Sequence, residues 1–113
     1  MRWTVVFAAL VACSGGEDRV DTILGLSGDP VAGETVYTTN CAVCHAASGL
    51  GDEDPTSPGI GVNLTEPAGE TDADEEFIPY IIDGLGEMTA FGDTLSDQQI
   101  ADVLAYMHDG LIQ

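Results

Sequence analysis

Cys41-Ala42-Val43-Cys44-His45 concentrates more chemistry than any other stretch of this 113-residue chain. Two thiols three positions apart can each add to one of the two vinyl groups on a porphyrin edge, and a histidine directly after them can offer an imidazole nitrogen to the iron. This is the Cys-X-X-Cys-His pattern of covalent haem attachment. Three other readings compete with it. A closed zinc site needs four ligands, but the chain has three cysteines and two histidines in all, with no second cysteine pair. A thioredoxin-like redox pair needs a βαβ setting, whereas the flanks here read as short helices and loops. A Cys41 to Cys44 disulfide would leave His45 without a reason to follow.

The motif needs elements on both sides to hold it. Asp29-Pro30 reads as a helix start, with Asp29 as N-cap and Pro30 at the first helical position, and the helix should run to about Thr39. From Ala46 to Asn63 the chain reads as a loop rich in Gly, Pro and Asp. The acid-rich stretch from Thr71 to Glu76 leads into a short helix, Phe77-Ile78-Pro79-Tyr80-Ile81-Ile82, closed by Gly84. Pro79 must occupy the first turn of that helix or kink it. The last helix is the plainest: Ser96 caps it, Gln99 completes a capping box, and Ile100, Val103, Leu104 and Met107 form a stripe that Gly110 ends.

Arg2 followed by the apolar run Val5 to Ala12 has the proportions of a signal-peptide core and is too short to span a bilayer. Leu10-Val11-Ala12-Cys13 resembles the lipobox of bacterial lipoproteins, which would make residues 1–12 a signal peptide and Cys13 a lipidated first residue. Residues 13–28 then read as the lipidated cysteine and a polar tether, and residues 29–113 as one small domain. Without Arg2 the chain keeps one positive side chain, Arg19, against 20 acidic ones, a net charge of −19. Like charge disfavours nucleic acid and anionic lipid, and a basic protein partner fits better, although dense acid can also serve solvation alone. Carboxylates such as Asp52, Glu53, Asp54, Asp72, Asp74, Glu75 and Glu76 lack the spaced loop with a central glycine that calcium requires, so they read as a solvated face.

A helix before Cys-X-X-Cys-His, a Gly-rich loop after it, a small middle helix, a methionine loop and an amphipathic last helix together resemble a class I cytochrome c over residues 28 to 113. The resemblance implies an all-α domain of about three main helices wrapped around one haem, covalently held through Cys41 and Cys44, with His45 as proximal iron ligand. In that family a methionine within a Gly-X-Met-Pro-Ala-Phe-like stretch supplies the sixth ligand. Gly86-Glu87-Met88-Thr89-Ala90-Phe91 matches it, so Met88 inherits the role, with Thr89 departing from the family's proline. Met107 on the last helix's stripe reads as core, and His108 as a solvated helix-end residue. Gly33 and Tyr37 resemble the positions at which the first helix crosses the last, with Tyr106 facing them. Gly61-Val62-Asn63-Leu64 resembles a segment whose carbonyl orients the histidine, with valine replacing proline and Pro58 as the alternative contact.

Electron transfer follows from the resemblance, on the periplasmic side of a bacterial membrane to which Cys13 would anchor the chain. The histidines are too few for a nucleophile, base and orienter set, so a carrier is expected rather than an enzyme. Two alternatives stand beside this expectation: a haem sensor or small-ligand binder with a labile Met88, and a cytochrome subunit of a larger oxidoreductase.

Overall fold

The computed structural model describes residues 15–65 and 73–111. Among them the regular structure is helical, apart from an isolated bridge between Leu85 and Met88. The segment whose sequence reads as a tether is helical from Gly15 to Leu24, here α1, and belongs to the packed body. Ile23 is 2% exposed within the main core, and Arg19 reaches Asp97 across the molecule. One buried isoleucine and one long cation do here what a periodic apolar stripe does elsewhere, so the sequence carries no helical period to read.

Asp29 caps the next helix as expected, its Oδ1 accepting from Val31 N at 2.9 Å, with Pro30 in the first turn. This helix, α2 (Pro30–Val36), passes through a wider π-type turn at Tyr37–Cys41 into α3 (Ala42–His45). The helical path therefore carries the haem motif itself instead of stopping before it. The loop that follows contains one short 3-10 turn, Gly51–Glu53.

α4 (Ala73–Asp83) begins earlier than the apolar run suggests, and Pro79 lies in its interior. Asp74, Glu75 and Glu76 occupy the first turn, where the helix dipole favours negative charge, and this extends the helix backwards past the hydrophobic segment. α5 (Asp97–Tyr106) opens on the expected capping box, with Ser96 Oγ accepting from Gln99 N at 3.1 Å and Gln99 Oε1 accepting from Ser96 N at 2.9 Å. It widens into a second π-type turn, Met107–Leu111, which carries the chain past Gly110.

α2 and α5 pack most extensively, and Gly33 makes that possible: a Cβ there would run into the Asp102 carbonyl. Tyr37 and Tyr106 meet beside the crossing with ring centroids 5.5 Å apart. Asp102, buried on α5, accepts Asp29 N–H at 2.8 Å and Gln98 Nε2 at 2.9 Å, so the crossing is also hydrogen-bonded. Ile23, Val36, Ile78, Ile100, Val103 and Leu104 fill the core between these helices.

Candidate functional site

His45 closes α3 and is only 9% exposed. Its Nδ1 lies 2.8 Å from the Val62 carbonyl oxygen. A carbonyl only accepts, so Nδ1 is the donor, the tautomer that in a neutral ring leaves the Nε2 lone pair available. Of the two contacts open in the sequence, Val62 and not Pro58 makes this bond. Gly61 gives the ring its room, since a Cβ there would lie 2.6 Å from Nδ1. Gly61 N also donates to the Cys44 carbonyl at 2.7 Å, stitching the segment to the motif it serves.

A second clamp comes from the turn before the motif. Tyr37 Oη donates to the Ala46 carbonyl at 2.6 Å, one residue beyond His45. Ala46 sits at φ 65° and ψ 158°, a region nearly reserved for glycine that costs an alanine about 1–3 kcal/mol, and the phenol bond helps hold it there. Burial, with Cys41 and Tyr106 close by, raises the Tyr37 phenol above its ordinary range and keeps it a donor. No residue pattern announced this bond.

Cys41 and Cys44 are free thiols, both part-buried. Burial first, and then the neighbouring Cys44, push the Cys41 thiol up to about 11. A Cys-X-X-Cys redox centre needs the opposite shift, toward thiolate.

Met88 follows the tight turn after α4, its N–H bonded to the Leu85 carbonyl at 2.9 Å. Met107 is buried in the core, as expected, and also reaches the wall of the cavity that Met88 lines. That cavity, about 460 Å³, brings together Cys41, Cys44, His45 and Met88 among apolar side chains that include Leu64, Phe77, Phe91 and Val103. Its size suits a cofactor. Two free thiols, an imidazole with a lone pair and a thioether in an apolar surround form the donor set for a covalently bound haem, so the residues present fit that group.

Other titratable groups are engaged elsewhere. His108 bonds Asp74 Oδ1 through Nε2 at 2.7 Å on an exposed surface. Asp54 accepts from Ser48 Oγ, from the Ser57 and Thr56 amides and from Thr56 Oγ1, which holds its carboxyl well below the usual range. Among the described residues, no three His, Cys, Asp or Glu are arranged to hold a metal ion. Cys13 lies outside the described residues.

Residues 28–107 match the family described as cytochrome c oxidase, cbb3-type, subunit III. A cytochrome c6 from Picosynechococcus sp. is 38% identical over 85 residues, covering 72% of this chain and 73% of the relative. The chain belongs to the class I cytochrome c family. This cytochrome is also similar to a second cytochrome c6, from Leptolyngbya boryana, 35% identical over 81 residues, which is 72% of this chain and 92% of that protein. A nicotinate dehydrogenase component of Pseudomonas putida is 34% identical over 98 residues, 79% of this chain but 8% of that protein. Among solved structures, cytochrome cL from Hyphomicrobium denitrificans matches with a TM-score of 0.55 and 23% identity. The match covers 68% of this chain and 44% of that one, and it shows the fold, which is the all-α class expected. Family membership carries one covalently bound haem c, transfer of electrons instead of enzyme turnover, and redox proteins as partners. Among the described residues, no helix is long and apolar enough to cross a membrane.

Proposed function

We propose that this cytochrome carries single electrons with His45 and Met88 as the two axial iron ligands. The observation that carries the reading is the convergence of Cys41, Cys44, His45 and Met88 on one apolar cavity, with His45 Nδ1 already committed to the Val62 carbonyl. The haem, when bound, supplies the ferrous/ferric couple. Cys41 and Cys44 would hold the ring through thioethers. Val62 fixes His45 in the tautomer that presents Nε2 and keeps it from rotating. Met88 sulfur would hold the iron from the other side, which would exclude exogenous ligands and raise the potential relative to a site without a thioether. Leu64, Phe77, Phe91 and Leu95 exclude water, which limits reorganisation when the charge changes.

The same reading places the carrier outside the cytoplasm, tethered by a lipid on Cys13 and working with a basic partner. The lipobox-like Leu10-Val11-Ala12-Cys13 and the excess of 20 acidic residues over two basic ones support it. Met88→Ala tests the ligation. Expected are intact covalent haem, a lower potential, loss of the methionine-to-ferric-iron absorbance and carbon monoxide binding to the ferrous form. Met107→Leu should change none of these. A Met88→Ala protein indistinguishable from the wild type would return the sixth position to Met107 or another group.

A further inference from the structure

Arg19 is one of only two Lys or Arg residues in the chain, and the haem site as described makes no use of it. Its Nε donates to Asp97 Oδ1 at 2.6 Å, Nη1 to the Gly92 carbonyl at 2.7 Å and Nη2 to the Leu95 carbonyl at 2.9 Å. A planar guanidinium can hold three such acceptors at once, whereas an ammonium has no fixed fork. The two carbonyls bracket the turn through which the methionine segment leaves the haem cavity. Phe91 at its start and Leu95 at its end line that cavity together with Met88.

α4 grips the same turn from the other side. Phe91 N donates to the Ile81 carbonyl at 2.8 Å, and Gly92 N to the Ile82 carbonyl at 3.0 Å. Gly92 is thus held through its N–H by α4 and through its C=O by α1. There is no slack at that point, because a Cβ on Gly92 would lie 2.9 Å from the Ile82 carbonyl and 3.3 Å from Arg19 Nη1. Thr89 and Ala90, between this anchor and Met88, are exposed. The position of the sulfur therefore depends on the fixed point at Gly92.

We propose that Arg19 is a positioning residue for Met88: by fixing the exit of the methionine segment, it sets how often the sulfur leaves the iron. The inference rests on Met88 being the ligand. It gives α1 a role in ligand retention in addition to packing.

The test uses the full-length holoprotein. Arg19→Gln keeps a polar side chain but loses the fork and the charge. Carbon monoxide should bind its ferrous form about tenfold more readily, the change that one lost charge-assisted hydrogen bond converts to. The methionine-to-ferric-iron absorbance should weaken, with covalent haem content unchanged. Asp97→Asn leaves both carbonyl contacts in place, so its ligand binding should stay within about twofold of wild type even if it melts earlier. Should Arg19→Gln fail to accumulate, Arg19→Lys is read in the same way, since one ammonium cannot bracket both carbonyls. Unchanged carbon monoxide binding and absorbance in the Arg19 variant, with or without a lower melting temperature, would overturn the proposal. Failure of the underlying ligation shows differently, as a Met88→Ala spectrum equal to that of the wild type.

Discussion

The segment around His45 and the segment around Met88 serve one cavity but are held by opposite means. His45 is locked from both sides of its own motif: Val62 holds the ring, Gly61 bonds Cys44, and Tyr37 clamps Ala46. All of these contacts are short, and the glycines leave no tolerance. Met88 sits instead in a turn whose neighbours Leu85, Gly86, Glu87, Thr89 and Ala90 are exposed, with its fixed points displaced to Leu85 and to Gly92 and Leu95. One side chain is held by its immediate surroundings and the other by the ends of its loop. The contrast teaches where each should fail: the first by steric insult nearby, the second by loosening at a distance.

The harshest way to break the contrast is to remove the group both segments enclose. Cys41→Ala with Cys44→Ala should leave no cooperative thermal transition in circular dichroism. Without the ring, the apolar walls of a cavity of about 460 Å³ would face water and lose their packing partner, and a domain has only about 5–15 kcal/mol of stability to lose. A cooperative melt of that double variant would show that the protein core stands without haem.

Next comes a pair of glycine replacements. Gly61→Ala puts a methyl 2.6 Å from His45 Nδ1 and should cost about 2–3 kcal/mol in urea unfolding, because the ring must leave the Val62 carbonyl. Gly86→Asn on the methionine side should cost no more than about 0.5 kcal/mol. Its φ of 60° is one asparagine tolerates, and nothing lies within 4 Å of a Cβ there. Equal losses at both positions would erase the distinction between the two segments.

Asp54 sharpens the comparison through pH. Its carboxyl is held below the ordinary range in the fold by Ser48 first and then by Ser57 and Thr56. The folded state therefore binds fewer protons than the unfolded chain at acid pH, and stability rises with pH across that window. The contribution is complete above the ordinary carboxylate value and disappears as pH falls through the depressed one. Asp54→Asn should lower the urea midpoint at neutral pH, with a gap to wild type that closes in strong acid. A gap independent of pH would mean that the loop does not depend on the ionised form.

The smallest effect concerns encounter. Glu87 lines the mouth of the cavity beside Met88, whereas Glu53 on the other loop bonds Asn63. Glu87→Gln should slow electron transfer with a basic partner by about twofold at low salt, and Glu53→Gln by less. The reverse order, read by stopped-flow, would turn the docking face toward the histidine side.

Local rules made the His45 side legible. The motif, the Asp29 cap and the capping box at Ser96 and Gln99 each depend on residues close in sequence, whereas the Gly33 crossing came only with the resemblance to the family. The Met88 side was legible only at the methionine. Arg19 acts on backbone carbonyls 73 and 76 residues away, and a carbonyl carries no residue signature. The early start of α4 was hidden because acidic residues with no apolar period read as a solvated run, although a helix N-terminus favours them. Tyr37 looked like packing, and its hydroxyl bond to Ala46 depends on a backbone angle that sequence does not specify.

Helix α1 also bears on how far the haem of a lipid-anchored chain could travel. A flexible stretch of 16 residues from 13 to 28 would have a root-mean-square reach of about 22 Å. Under the lipid anchor proposed at Cys13, with the chain helical from Gly15 and pinned through Arg19 and Ile23, the span between that lipid and the helix would shrink to two residues, about 7 Å at full stretch. A carrier on so short a leash would explore a thin layer instead of a volume. Under that anchor its partners would have to present their own redox centres within the layer, and two-dimensional encounter would set the pace of exchange.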